Sequence, residues 1–191
     1  MLLAAMGFSA PLAAQDQKFE ISLFGDANAP LQNLNTVPNL GFKSGFGGGV
    51  GITYLADKNF AIRGDFGYVT SDVSVATAGS VVIGGGGALN STSWSHMLAG
   101  ADFVLRFPLP GGVTPYFTTG GGVVRYKESG GRDATRAAGR FGAGLQIPIG
   151  DKLAVFGQGN TWVYGFDQRY FEYFTKVQVD LLLSAGITVR F

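Results

Sequence analysis

The stretch KVQVDLLLSAGITVRF, Lys176–Phe191, decides the fold. Its odd positions hold Val177, Val179, Leu181, Leu183, Ala185, Ile187, Val189 and Phe191. Its even positions hold Lys176, Gln178, Asp180, Ser184, Thr188 and Arg190, with Leu182 and Gly186 as neutral fillers. A period of two is that of a β-strand, whose side chains point alternately to opposite faces. So long an apolar face exceeds what a soluble strand of about five or six residues carries. It suits a strand of about 9–11 residues that crosses a bilayer, with lipid on one side and a polar interior on the other.

Composition agrees. The 191 residues include 14 basic and 13 acidic ones and 31 glycines, and charged residues make up 14%, against about 25% in an ordinary globular chain. Mean hydropathy is +0.21, yet no run of 18 apolar residues occurs, which disfavours a helical membrane protein and points to alternation instead. Near-neutral charge leaves no electrostatic footprint for nucleic acid. With no cysteine and a single histidine, a metal site lacks ligands. Neither G-x-G-x-x-G nor a P-loop pattern occurs among the glycines, so no cofactor is expected.

The N-terminus, MLLAAMGFSAPLAAQDQ, places an apolar stretch before Pro11 and the small residues Ala13 and Ala14. This is a signal-peptide pattern without its basic n-region. The chain is therefore expected to comprise a signal peptide over 1–14, its true start upstream, and a membrane domain over 15–191.

Working along that domain, alternation predicts eight strands. The first is KFEISLFG, with Phe19, Ile21 and Leu23 opposed to Glu20 and Ser22. The second and third flank the tight turn Ala56–Asn59, with Phe46, Val50, Ile52 and Tyr54 on one face and Phe60, Ile62, Phe66 and Tyr68 on the next. The fourth opposes Met97, Phe103 and Leu105 to His96, Asp102 and Arg106, and a compact turn, PLPGG, leads to the fifth. The fifth is ambiguous: either Tyr116 and Tyr126 or Phe117 and Val123 face outward. The sixth shows Phe141, Leu145 and Ile147, and Gly150–Lys152 turns into the seventh, where alternation puts Trp162 and Tyr164 inside. Connectors at about 26–44, 71–92, 128–137 and 166–174 are long, so short turns and long loops alternate between two rims. The fold expected is all-β: a closed antiparallel eight-stranded up-and-down transmembrane β-barrel. Phe19, Tyr54, Phe60, Phe107, Tyr116 and Phe191 near the short turns, and Phe46, Tyr68, Tyr126 and Phe141 near the other ends, suit interfacial aromatic girdles.

The strand opening PYFTTGGGV (Pro115–Val123), the glycine-laced strand GFGGGVGITY (Gly45–Tyr54) and the terminal Phe191 resemble the small eight-stranded outer-membrane β-barrels of the OmpX, Ail and OmpA-barrel type, the outer membrane protein β-barrel domain. The resemblance implies the outer membrane of a Gram-negative-type bacterium. It also implies that Phe191, with Val189, Ile187 and Ala185, forms the signal read by the outer-membrane assembly machinery. It stops at the eighth strand and implies no cell-wall tether.

An eight-stranded barrel is just wide enough for side chains. Glu20, Arg63, Asp65, Asp102, Arg106, Arg140, Asp180 and Arg190 are expected inside as a charge-balanced network that plugs it. His96, Gln146, Gln158, Asn160 and Gln178 accompany them. In KESGGRDATRAAGR, Lys127, Arg132 and Arg136 fall where lipopolysaccharide phosphates would lie. The aromatics Tyr164, Phe166, Tyr170, Phe171, Tyr173 and Phe174 make either an upper girdle or a patch that docks a host or neighbouring surface. His96 is followed by Met97 and Leu98, unlike the His-x-Ser pair of lipid A deacylases, and Ser95 points to the opposite face. A structural or surface-binding monomer, not an enzyme, is the reading; a lipid-modifying barrel enzyme and a narrow channel are the alternatives.

Overall fold

The computed structural model describes residues 18–31, 40–75, 82–83, 87–88, 93–128, 133–165 and 177–191. The expected signal segment 1–14 lies outside the described residues. Eight long strands build the molecule: β1 (Phe19–Pro30), β2 (Gly45–Leu55), β3 (Phe60–Val75), β4 (Ser93–Arg106), β5 (Thr114–Glu128), β6 (Asp133–Pro148), β7 (Leu153–Gly165) and β8 (Val177–Arg190). Each pairs antiparallel with its sequence neighbours, and β8 returns to β1 with Leu23 opposite Ile187, which closes the barrel. Residues Leu40–Phe42 extend the sheet beside the upper end of β3, and a small hairpin joins Val82–Ile83 to Gly87–Ala88. No helix occurs among the described residues.

Burial follows parity, as the period of two requires. Ile21, Leu23, Val50, Ile52, Phe66, Phe103, Phe141, Leu183 and Ile187 are exposed on the outer wall, whereas Glu20, Arg63, Asp102, Arg106, Arg140, Gln178 and Asp180 are buried inside. A soluble protein inverts that arrangement; a barrel in lipid needs it. On β3 the outward face is apolar from Phe60 to Tyr68 and then turns polar at Thr70 and Asp72. At about 3.3 Å per residue and a tilt of about 40°, those nine residues span about 23 Å, the height of a membrane band. The neighbouring strands switch at the same level, since Tyr68 pairs with Met97 and Thr70 with Ser95. Further round, Val123 gives way to Arg125 and Ala137 to Thr135.

The ambiguity in the fifth strand resolves in favour of Phe117 and Val123, both exposed on the wall, while Tyr116 and Tyr126 are buried inside. The two tyrosines therefore leave the girdles in which the sequence pattern placed them. Trp162 and Tyr164 point inward, as alternation requires. Several predicted boundaries shift. β1 runs on to Pro30 instead of ending at Gly25, because Asp26 and Asn28 continue the inward alternation in a segment whose Gly, Asn and Pro resemble a turn. Strands β5 and β6 extend to Glu128 and from Asp133, so the connector expected over 128–137 shrinks to 129–132. These extensions project above the apolar band, where polar outward residues are solvated.

A charge at mid-height should cost far more than one at the rim. Ile52→Lys, on the lipid-facing wall opposite Gly64, is expected to lose about 2–4 kcal/mol in reversible unfolding from lipid vesicles, and Thr70→Lys about 0–1 kcal/mol. Equal losses would contradict the assigned membrane level.

Candidate functional site: the barrel interior and its rims

Inward positions of all eight strands converge on a narrow axis, where charge is expensive unless paired. The lowest layer, nearest the short turns, centres on Glu20. Arg190 Nε donates to Glu20 Oε1 at 2.7 Å, and Arg106 Nη1 lies 3.5 Å from the same oxygen. Gln146 links the two guanidinium groups: its Oε1 accepts from Arg106 Nη2 at 2.7 Å and from Arg190 Nη2 at 3.2 Å.

The middle layer centres on Arg140. Its Nη1 and Nη2 donate to the two oxygens of Asp65, each at 2.6 Å, in the bidentate geometry that suits a guanidinium. Nη2 also lies 2.8 Å from Asp102 Oδ2, and the guanidinium carbon sits 4.5 Å from the centroid of the Trp162 ring. Arg63 bridges this layer to the one below. It lies 3.6 Å from both Asp65 and Asp102 and donates to Gln158 Oε1 at 2.7 Å, an oxygen that also accepts from the Tyr116 hydroxyl at 3.0 Å. Space for Arg140 comes from Gly100 on the facing wall, because any Cβ there would overlap the guanidinium. Likewise a Cβ on Gly49 would fall 2.7 Å from the inward ring of Phe24. Cavities of about 30 and 20 Å³ flank the lattice, each large enough for single water molecules.

The upper layer is aromatic. Trp94, Tyr126 and Tyr164 stack obliquely with centroids 6.4 and 6.3 Å apart, packed with Val69, Leu98, Val124 and Leu182. Asp180 sits here, and the Tyr164 hydroxyl donates to it at 2.5 Å and Gln178 Nε2 at 3.0 Å.

The eight charged residues expected inside are thus all lumen-facing, but the network is not the expected one. No ion pair among the described residues involves Asp180, which is held by neutral donors. A further inward carboxylate, Asp26, lies beside the lattice. It accepts from Ser184 Oγ at 2.5 Å and lines the same small cavity as Asp65 and Arg140. A first strand that ends at Gly25 stops one residue short of Asp26; continued parity from Glu20 and Ser22 is the signal that would include it. His96 meets Ser71 Oγ at 3.4 Å, across the strand pair, and not Ser95. Both Ser71 and His96 are buried.

Of the residues expected at the lipopolysaccharide level, Lys127 is exposed on the outer wall, Arg136 falls on the inward parity near the rim, and Arg132 lies outside the described residues. Arg125 shares the outer face with Lys127 and pairs with Asp133. Ala185, Ile187, Val189 and Phe191 line the outer face of β8 at the seam with β1. Apart from Tyr164, the aromatics over 166–174 lie outside the described residues.

The model of a family described as outer membrane protein beta-barrel domain matches residues 1–187. No curated protein sequence gives a significant match. Among solved structures, Neisserial surface protein A superposes with a TM-score of 0.61 at 17% identity, covering 91% of this chain and 97% of that one. The N-terminal barrel domain of Pseudomonas aeruginosa OprF gives 0.52 at 12% identity over 90% and 97%. OprG of the same organism gives 0.51 at 13% identity over 93% and 97%. These likenesses show a shared barrel fold.

The lattice makes a contrast that unfolding in vesicles can read. Arg140→Met leaves the half-buried Asp65 and the buried Asp102 with Arg63, 3.6 Å away, as their remaining cation and is expected to cost about 3–5 kcal/mol. Arg125→Met breaks an exposed pair and should cost less than about 1 kcal/mol. Similar values for both would show that the interior charges are solvated.

Proposed function

Because the chain belongs to the outer membrane protein beta-barrel family, we propose that it is a plugged, non-conducting barrel of a Gram-negative-type outer membrane whose work is structural and surface-binding, exerted at its long-loop end. The observation that carries this reading is the filling of the axis by two unlike barriers, the arginine–carboxylate lattice around Arg140 and, above it, the aromatic layer of Trp94, Tyr126 and Tyr164. An open pore keeps neither: desolvated ion pairs and stacked rings both exclude a continuous water column.

Catalysis is not part of the proposal. Ser71 and His96, the one nucleophile–base pairing in the upper interior among the described residues, are 4% and 3% exposed, out of reach of a lipid substrate. Binding concentrates instead on loops held by a rigid wall, so a host or neighbouring surface would meet the long-loop end. Lipopolysaccharide would meet the outward cations just above the apolar band, Lys127 foremost, with Arg132 of the adjoining connector. The outward ladder of Ala185, Ile187, Val189 and Phe191 is the segment offered to the outer-membrane assembly machinery. Closure removes the free edges of the eight long strands, which supports a monomer.

In planar bilayers the refolded protein is expected to give no porin-level conductance; large, stable steps would discard the plugged reading. For lipopolysaccharide, Lys127→Gln should weaken binding by about fivefold, the effect of one surface cation, and the inward Arg136→Gln by less than about twofold. Unchanged binding in Lys127→Gln would remove that contact.

A further inference from the structure

The short-turn rim carries a cavity that none of the roles above uses. It is an open bowl of about 670 Å³ at the mouth of the barrel, within the size of small-molecule sites, about 300–1,000 Å³. Its floor is made by Arg106 and Arg190, and its wall by Lys18 and by Lys58 in the β2–β3 turn. The β4–β5 turn completes the wall. Gly111 and Gly112, at φ 87° and 83°, take the left-handed conformation that glycine adopts without strain. They fold the turn so that a Cβ on Gly112 would lie 2.8 Å from Pro148 Cγ at the end of β6.

The bowl is positively charged in a way its neighbours do not cancel. Arg106 and Arg190 share a single carboxylate, Glu20. No ion pair among the described residues involves Lys18 or Lys58. The acid in the lining, Asp57, fixes the turn, its Oδ1 accepting from the backbone N–H of Asn59 at 2.6 Å and of Phe60 at 2.8 Å, and with Glu20 it offsets two of the four cations Lys18, Lys58, Arg106 and Arg190, which leaves the bowl positive. Ammonium and guanidinium groups are donors without acceptor capacity, so the complementary ligand is an anion rich in acceptors.

We propose that this mouth is a binding site for a phosphate group, presented to the periplasmic side, where the short turns of outer-membrane barrels lie. The site is independent of whether the barrel conducts. Phosphate can reach it from a soluble phosphorylated solute or from an anionic lipid headgroup of the facing leaflet, and the two sources separate experimentally. The full chain is refolded in nanodiscs of phosphatidylcholine, and the amide resonances of Lys58, Asn59, Gly111 and Gly112 are followed as pyrophosphate is added.

Saturable shifts in that neutral disc establish a soluble-anion site. Shifts that arise instead on adding phosphatidylglycerol to the disc, with none from pyrophosphate, assign the site to the headgroup. The double variant Lys18→Gln, Lys58→Gln should weaken either response by about tenfold, as two charge-assisted contacts are lost. Both lysines are exposed, and an unchanged unboiled gel band verifies that the variant barrel folds. No saturable response to either probe, or an identical response in the double variant, overturns the proposal.

Discussion

Everything in this structure depends on the rule that no backbone N–H or C=O inside lipid goes unpaired. Such a group costs several kcal/mol, and a sheet with two free edges exposes a row of them. The chain answers by pairing β8 with β1, from Glu20 opposite Arg190 up to Pro30 opposite Asp180. Once the sheet is closed, every side chain is either outside against lipid or inside against the other strands. The apolar wall and the charged interior are both consequences of that closure.

The interior then becomes a packing problem under electrostatic constraint. Four arginines and three carboxylates, Glu20, Asp65 and Asp102, share a space too narrow to hydrate them freely. Paired, they hold facing strands together; with one partner removed, the other is left buried and uncompensated. Small inward residues make the pairing sterically feasible, as Gly100 does for Arg140. At the short-turn end the same logic leaves a remainder, because Glu20 answers two guanidinium groups, and the mouth stays cationic. At the other end the axis is filled with rings, and its carboxylate, Asp180, is held by neutral donors and not by cations, so the two halves of the interior differ in chemistry.

Much of this was legible in the sequence because lipid enforces parity over many consecutive residues. The β8 pattern from Val177 to Phe191 specifies both crossing and facing, and in β7 alternation places Trp162 and Tyr164 inside, where they lie. Legibility failed where both faces carry residues of one kind. In β5, Tyr116 and Tyr126 compete with Phe117 and Val123, and aromatic identity cannot separate a girdle from a core ring. What decides is the partner: Tyr116 finds Gln158, and Tyr126 stacks between Trp94 and Tyr164, contacts set by strands distant in the chain. Strand ends beyond the band were also hard to read, since lipid no longer selects apolar residues there. That is why the pattern of β1 fades after Gly25 although Asp26 and Asn28 continue it inward, and why Asp180, held by neutral donors, reads from the sequence like a member of the ion-pair network. The Ser71–His96 contact depends on the register between β3 and β4, which local spacing does not encode.

The wall, the lattice and the rims all stand on closure of the strands into one lipid-resistant barrel, and electrophoretic heat-modifiability tests that closure most directly. The full chain refolded in detergent is run boiled and unboiled on the same gel. A closed barrel keeps its ladder in dodecyl sulfate and runs as a compact, faster band until boiling opens it, and that is the result expected here. A single band at the same position with and without boiling, from protein that also stays soluble without detergent, would contradict it.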